Sequence, residues 1–245
     1  MIITSLENNK IKELVKLQKK KNRDKTNTFI VEGLHLVNEA IKENIVIELY
    51  ALEGENIEYN FPVTYVSAEV MKKITSLDSI PTIIALCRKN NSKEIIGDKI
   101  LLLDEIQDPG NLGTIIRSAV AFNISTIILT NNSVDLYNPK VLRSTQGMFT
   151  HINIINMNAY SAIQQLKNSN FIIYGTNVKN GIDVRQLPNK YKNKFCLIMG
   201  NEGNGVKNNI QELCDKNLYI KMNSNVESLN VGVACSILLY ELDRW

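Results

Sequence analysis

Two α/β domains joined by a polar linker are predicted for this chain of 245 residues. Three observations predict them. Short apolar runs alternate with segments of helical periodicity, the element order of α/β folds. After Lys99 the apolar runs, such as residues 100–103, lack polar alternation, as in a parallel sheet covered on both faces. The stretch Arg88-Lys-Asn-Asn-Ser-Lys-Glu94 is polar and aperiodic, and reads as the linker. The expected limits are 1–90 for the first domain, 91–98 for the linker and 99–245 for the second domain.

Taken in order, Ser5 is placed to cap a helix in which Leu6, Ile11, Leu14, Val15 and Leu17 recur at roughly helical spacing. A strand at 28–31 follows, and Gly33 opens a helix with Leu34, Val37, Ala40 and Ile41 on one side. Strands at 45–52 and 63–66 are parted by breaks at Gly54 and Pro62. A short helix at 67–74 leads to a strand at 82–87. Beyond the linker, the strand at 100–103 gives way to a loop, and Asn111 is placed to cap a helix through Ile115, Ile116, Ala119 and Phe122. Strands at 126–129, 152–155, 171–175, 195–199 and 218–220 then alternate with helices at 138–146, 159–167 and 206–214, a doubly wound order. The last helix spans about 229–242 with Ser228 as its cap. Its Val231, Val233, Ala234, Ile237, Leu238, Leu239 and Leu242 cover more than one face, which predicts broad burial.

Composition excludes several classes. Hydrophobic residues make up 44% of the chain, and no apolar run is long enough to span a bilayer. Met1-Ile-Ile-Thr-Ser-Leu-Glu7 lacks the basic region and apolar core of a signal peptide. Cys87, Cys196, Cys214 and Cys235 have no metal-like spacing and read as reduced residues of a cytoplasmic protein. His35 and His151 are isolated, so no metal is expected. The net charge of +3 is small, but eight basic residues fall between Lys10 and Lys25 against Glu13 and Asp24. A solvated helix face is the ordinary reading of such a run. Its concentration at one end of a balanced chain makes phosphate binding the competing one, with Lys19, Lys20 and Lys21 at its centre.

Three stretches of the second domain carry the chemistry. The run Phe195-Cys-Leu-Ile-Met199 breaks into a loop with Gly200, Gly203 and Gly205, which permits positive φ and close approach of a ligand, with Glu202 among them. In Asp108-Pro-Gly-Asn-Leu-Gly-Thr-Ile-Ile-Arg-Ser118, a helix capped by Asn111 puts Arg117 near its second turn, close to free backbone N–H groups that suit an anion. In Met222-Asn-Ser-Asn-Val-Glu-Ser-Leu-Asn-Val-Gly-Val-Ala234, Ser228 and Asn230 flank Leu229. Each alone has a plain structural explanation: a strand-to-helix turn, an exposed helix arginine, a helix cap.

Together and in this order, the three stretches resemble the signature of the SpoU (TrmH-type) RNA ribose 2′-O-methyltransferases of the SPOUT class. The resemblance implies S-adenosyl-L-methionine as cofactor, a deep trefoil knot near the C-terminus and a homodimer through the knotted domain. It places Asn111, Arg117, Glu202, Ser228 and Asn230 at the reaction site, and Thr176, Gly200, Ile220, Met222 and Leu229 around the cofactor. In the family the arginine is usually described as deprotonating the ribose hydroxyl. A guanidinium keeps its proton near neutrality, so orienting the hydroxyl and binding a neighbouring phosphate is the easier chemistry for Arg117. Glu202 is open to three roles: general base, anchor for Arg117, or acceptor of loop N–H bonds. Arg143-Ser-Thr-Gln-Gly147 resembles a further family stretch, Arg-x-Ser-x-Gly, with Thr145 in the serine place, and makes Arg143 a candidate phosphate contact.

The first domain, from Thr28-Phe-Ile-Val-Glu-Gly-Leu-His-Leu-Val-Asn-Glu-Ala40 onward, is similar to the ribosomal-protein-like RNA-binding domain of many members, although Ser79-Ile-Pro-Thr82 replaces the family's Thr-Pro-Gln-Gly. The expected function is methyl transfer to a ribose 2′-hydroxyl of RNA, with 23S rRNA favoured over tRNA. Two rivals differ in class. A knotted RNA-binding protein without catalysis is opposed by the five intact site residues. An enzyme acting on a small phosphorylated metabolite would bind no S-adenosyl-L-methionine.

Overall fold

The computed structural model describes residues 2–57, 59–178 and 181–243. Met1 and Trp245, the outer limits of the expected domains, lie outside these. The chain forms two compact units: residues up to Asn90 together with Asp135–Thr150, and Asn91–Val134 together with the residues from His151 on.

The N-terminal unit holds a five-stranded sheet of β1 (Ile2–Ile3), β2 (Thr28–Glu32), β3 (Val46–Leu52), β4 (Val63–Val66) and β5 (Ile83–Arg88), ordered β1-β4-β3-β5-β2. β5 runs antiparallel to β2 and β3, whereas β4 is parallel to β1 and β3. Its helices are α1 (Asn9–Lys16), α2 (Lys20–Thr26), α3 (Leu34–Lys42) and α4 (Ala68–Ile74). Asn8, not Ser5, caps α1, its side chain accepting from the Lys10 N–H at 2.9 Å. Ile11, Leu14 and Leu17 then pack with Val70, Met71 and Ile74 of α4 over Tyr50, Val66 and Ile84.

α1 and α2 are separated by a break that Arg23 holds. Its guanidinium is buried, donates to the carbonyls of Leu17 (2.8 Å) and Gln18 (2.9 Å), and pairs with Asp135 at 2.6 Å. One of the eight basic residues read as candidate phosphate ligands is therefore a structural cation. The same pair fixes Asp135–Thr150 to this unit. Phe29 of β2 adds ring contacts to Tyr137 (4.5 Å between centroids) and Phe149 (5.9 Å). Strands of the second sheet flank this segment in sequence, so the expected limits of 99–245 include it, and the packing against β2 corrects that.

The C-terminal unit is built from β6 (Lys99–Leu103), α5 (Pro109–Ala121) and β7 (Thr126–Leu129). The chain leaves for the excursion carrying α6 (Pro139–Thr145), then returns through β8 (Asn153–Asn156), α7 (Ala159–Asn168), β9 (Ile172–Thr176) and β10 (Ile182–Asp183). β11 (Phe195–Met199), α8 (Asn208–Gln211), β12 (Lys216–Tyr219) and α9 (Val231–Asp243) complete it. Seven strands lie in the order β10-β12-β9-β11-β6-β7-β8, every pairing parallel. All residues of β7 and β11 are buried, and Thr126, the one polar residue among them, places its hydroxyl on the Ile96 carbonyl at 2.8 Å. Because β7 and β8 extend the sheet on one side of β6 while β9 and β11 lie on the other, the winding reverses between β6 and β11. In open α/β sheets the carboxyl ends of strands at such a reversal are where ligands sit.

α8 is a single turn, shorter than the helix expected at 206–214, and no side chain caps it. β1 and β10 were not foreseen, since two residues carry no periodicity. α9 buries Cys235, Leu238, Leu239 and Leu242 but leaves Val233, Ile237 and Tyr240 exposed, so its burial is one-sided. No described helix is long and apolar enough to cross a membrane.

Candidate active site

Three loops meet at the carboxyl ends of β6 and β11. The loop after β11 turns back sharply: a Cβ on Gly200 would lie 2.1 Å from the Gly205 carbonyl carbon and 2.2 Å from the Val206 nitrogen, so only glycine fits. Asn201 and Gly205 exchange backbone hydrogen bonds (3.1 and 2.9 Å). The Asn201 side chain accepts from the Gly203 N–H and donates to the Glu105 carbonyl, both at 2.9 Å. Lys207 pairs with the Glu105 carboxylate at 2.6 Å. The glycine loop is thus fastened to the end of β6.

The second loop starts α5. Its N-cap is Asp108, whose Oδ1 accepts from the Asn111 N–H at 2.8 Å, with Pro109 at the first helical position. Asn111 is therefore inside the first turn rather than at the cap, and its side chain is free to reach outward. Its Nδ2 donates to Glu202 Oε1 at 3.2 Å, and its Oδ1 accepts from Asn230 Nδ2 at 2.8 Å. Asn230, not Ser228, caps α9: its Oδ1 accepts from the N–H groups of Gly232 (2.9 Å) and Val233 (3.2 Å). The chain Asn230→Asn111→Glu202 has a fixed direction. Backbone donors at one end orient the first amide, and an acceptor-only carboxylate at the other orients the second.

Glu202 also accepts from the backbone N–H groups of Gln107 (3.2 Å) and Asp108 (3.0 Å). Partial burial pushes its carboxyl up, but the donors from Asp108, its own backbone, Asn111 and Gln107 outweigh that and hold it below the usual range. Of the three roles open to Glu202, this geometry matches the acceptor of loop N–H bonds. Among the described residues it makes no ion pair with Arg117. Just below, at the end of β6, Asp104 is buried with Oδ2 unpartnered, and burial pushes its carboxyl up.

A cavity of about 280 Å³ opens beside these loops, near the lower end for small-ligand sites. Thr176, Gly200, Ile220, Met222 and Leu229, expected around a cofactor, all line it, as do Glu202 and Ser228. Its lining combines apolar side chains, Met199, Leu218 and Leu238 among them, with residues 200–205 of the glycine loop. Asn111, Arg117 and Asn230 are not in its lining. Because α5 begins at Pro109, Arg117 sits in the third helical turn, away from the free N–H groups. Its side chain is exposed and forms no hydrogen bond or ion pair among the described residues. α5 and α9 pack closely here. A Cβ on Gly232 would lie 3.2 Å from Thr114 Cγ2, and Ser118 and Ser236 share a hydroxyl bond of 2.7 Å.

Residues 98–240 match the SpoU rRNA Methylase family, and residues 8–85 match the MRM3-like substrate binding domain. The chain belongs to the SpoU rRNA methylase family. Over 98% of both chains it is 38% identical to the 23S rRNA (guanosine(2553)-2′-O)-methyltransferase RlmP of Bacillus subtilis. It superposes on the S-adenosylmethionine-bound rRNA methyltransferase of Sinorhizobium meliloti with a TM-score of 0.86, covering 99% of this chain and 97% of that one at 28% identity. A crystal structure of an RNA 2′-O ribose methyltransferase aligns at a TM-score of 0.83 and 27% identity, over 99% and 98% of the two chains. This SpoU member is an RNA methyltransferase, and S-adenosyl-L-methionine is its methyl donor. The cavity fits that donor: the apolar side chains suit a purine and a thioether-like chain, and the loop backbone offers donors and acceptors without bulk.

The remaining candidates of the SpoU reading lie in the N-terminal unit. Lys19, Lys20 and Lys21 are exposed, with Lys20 paired to Asp24 at 2.6 Å. Arg143 donates to the Ser76 hydroxyl at 3.0 Å, and Thr145 is buried with its hydroxyl on the Leu142 carbonyl. Asp108, Gln107 and Asn201 were not singled out from sequence. The signal for Asp108 was present in the Asp-Pro pair, which reads as cap and first helical residue.

Proposed function

We propose that this enzyme methylates the ribose 2′-oxygen of a guanosine in 23S rRNA, with residues 1–90 as the RNA-binding domain, 91–98 as linker and 99–245 as the catalytic domain, less the excursion Asp135–Thr150 that belongs to the N-terminal unit. The observation that carries the substrate is the 38% identity, over nearly the whole of both chains, to a 23S rRNA guanosine 2′-O-methyltransferase. The match of residues 8–85 to a substrate binding domain supports the role of the N-terminal unit.

Bound S-adenosyl-L-methionine supplies an electrophilic methyl group on sulfur. The chain's own residues position the acceptor. Thr176, Gly200, Ile220, Met222 and Leu229 would hold the cofactor. Thr176 donates its hydroxyl proton to the Ile198 carbonyl at 3.0 Å, so toward the cofactor its hydroxyl oxygen would act as an acceptor. Glu202, Asn111 and Asn230 keep the three loops in register. Ser228, on the cavity lining and without a hydrogen bond among the described residues, is free to meet substrate. Arg117 would bind the phosphate beside the target ribose and orient its hydroxyl, because a guanidinium is a poor base but a good anion ligand. Lys19, Lys20, Lys21 and Arg143 would contact RNA phosphates.

The enzyme is cytoplasmic in this reading and works as a homodimer. Val233, Ile237 and Tyr240 form an exposed stripe at helical spacing on α9, extended by the Phe122–Tyr240 ring contact at 5.8 Å, and a second copy would cover it. The trefoil knot belongs to the same proposal. The test uses labelled S-adenosyl-L-methionine with unmodified 23S rRNA, 16S rRNA and bulk tRNA. Label in 23S rRNA alone is expected. Label in tRNA alone would replace the substrate assignment.

A further inference from the structure

The N-terminal unit contains a second cavity, of about 610 Å³, between α1–α2 and the sheet. Leu14, Leu17, Tyr50 and Leu86 give it an apolar floor, and Lys16, Lys25, Glu13 and Glu48 stand on its walls. The charges are not equivalent. Lys10 pairs with Glu48 at 3.1 Å, and Glu48 also accepts from the Tyr50 hydroxyl. Lys16, Lys25 and Glu13 make no side-chain hydrogen bond or ion pair among the described residues, although neighbouring Lys12, Lys20 and Lys89 are all paired.

A cavity with an apolar floor and uncommitted ammonium groups at its mouth suits a flat apolar-faced ring joined to an anion. In RNA that is one unpaired nucleotide, its base turned out of the stack and its flanking phosphates on lysines. A paired base could not enter. Glu48 is committed to Lys10 and Tyr50, which leaves Glu13 as the uncommitted carboxylate of the lining, an acceptor only. It favours guanine, which presents an N1–H and an amino group side by side. We infer that this cavity is a binding site for a single unpaired nucleotide of the substrate RNA, guanine preferred, with Lys16 and Lys25 on its phosphates. The inference rests on the reading of the chain as an RNA methyltransferase.

The test measures binding of the full chain to a short single-stranded oligoribonucleotide with one central guanosine, to its inosine counterpart, and to a blunt RNA duplex. Two variants serve. Lys16→Gln with Lys25→Gln removes the cations, and Thr28→Phe fills the cavity from the start of β2, where an aromatic residue is compatible with a strand. Each variant is expected to weaken single-strand binding about tenfold, with duplex binding and cofactor affinity unchanged. The double lysine variant should lower the salt slope by about 1.4, at roughly 0.7 per phosphate, whereas Thr28→Phe should leave the slope alone. Inosine, lacking the amino group, should weaken binding to the wild type but not to Thr28→Phe. Wild-type affinity in Thr28→Phe, or equal losses on single strand and duplex in the lysine variant, would overturn the site. If inosine binds the wild type as guanosine does, the guanine preference is wrong. Failure of the underlying reading looks different: the wild type would then label no RNA at all.

Discussion

Asn230 donates to Asn111 across 2.8 Å, and this one bond joins the start of the last helix to the start of α5. Neither residue is placed by its own helix alone. Asn230 is turned by the two N–H groups it caps, and Asn111 is turned by the carboxylate of Glu202 on the other side. Removing the middle member should uncouple all three loops. Asn111→Ala is expected to cost about 1–2 kcal/mol of stability, the range for losing two partly exposed hydrogen bonds, and to lower methylation by more than the stability loss explains. Urea denaturation beside single-turnover assays measures both. Asn111→Asp should be worse than Asn111→Ala, because it sets a second carboxylate against Glu202.

Glu202 and Asp104 should make stability depend on pH in opposite senses. The Glu202 carboxyl is held below its ordinary range, so its contribution is present above the unfolded value near 4.5 and is lost as pH falls through the folded value. The Asp104 carboxyl is pushed up, so its contribution is present below the unfolded value near 3.8 and is lost as pH rises through the folded value. Glu202→Gln is expected to flatten the acid limb of a Tm–pH profile, and Asp104→Asn the limb above it. A Glu202→Gln profile parallel to wild type below pH 5 would show that the loop donors do not favour the ionised form.

Arg117→Ala should abolish methyl transfer while leaving S-adenosyl-L-methionine affinity nearly unchanged, because Arg117 lies outside the cavity lining. Isothermal titration gives the affinity and label incorporation the rate. A large loss of cofactor affinity would mean that Arg117 has been assigned to the wrong partner.

Replacing Lys19, Lys20 and Lys21 by Gln should weaken RNA binding and flatten its salt dependence. Lys20 is committed to Asp24, so the slope on single-stranded RNA should change by about 1.4, the effect of two phosphate contacts rather than three. An unchanged slope would return the run to a solvated face.

Much of this architecture was legible because residues 100–103, 127–129 and 195–199 are unbroken apolar runs, which suit a parallel sheet covered on both faces. The three loops were legible as motifs, but their internal geometry was not. Asn111 and Ser228 are sound caps by residue type, yet Asp108 and Asn230 take those places, since Pro109 fixes where α5 begins and Asn230 lies directly before Val231. Periodicity gave no means of telling Val233, Ile237 and Tyr240 from the buried residues of α9, because all are apolar or aromatic and solvent contact depends on what packs alongside. Arg23 was hidden among surface lysines. Its burial depends on Asp135, more than a hundred residues away in the chain, and no local pattern encodes that pairing.

The most direct test of the central claim is to digest 23S rRNA, labelled by the enzyme from S-adenosyl-L-methionine, to nucleosides and to separate base-methylated from ribose-methylated products. The account predicts that the label is in 2′-O-methylguanosine, at one position. Label in a base-methylated nucleoside, or none in RNA despite cofactor binding, would contradict it.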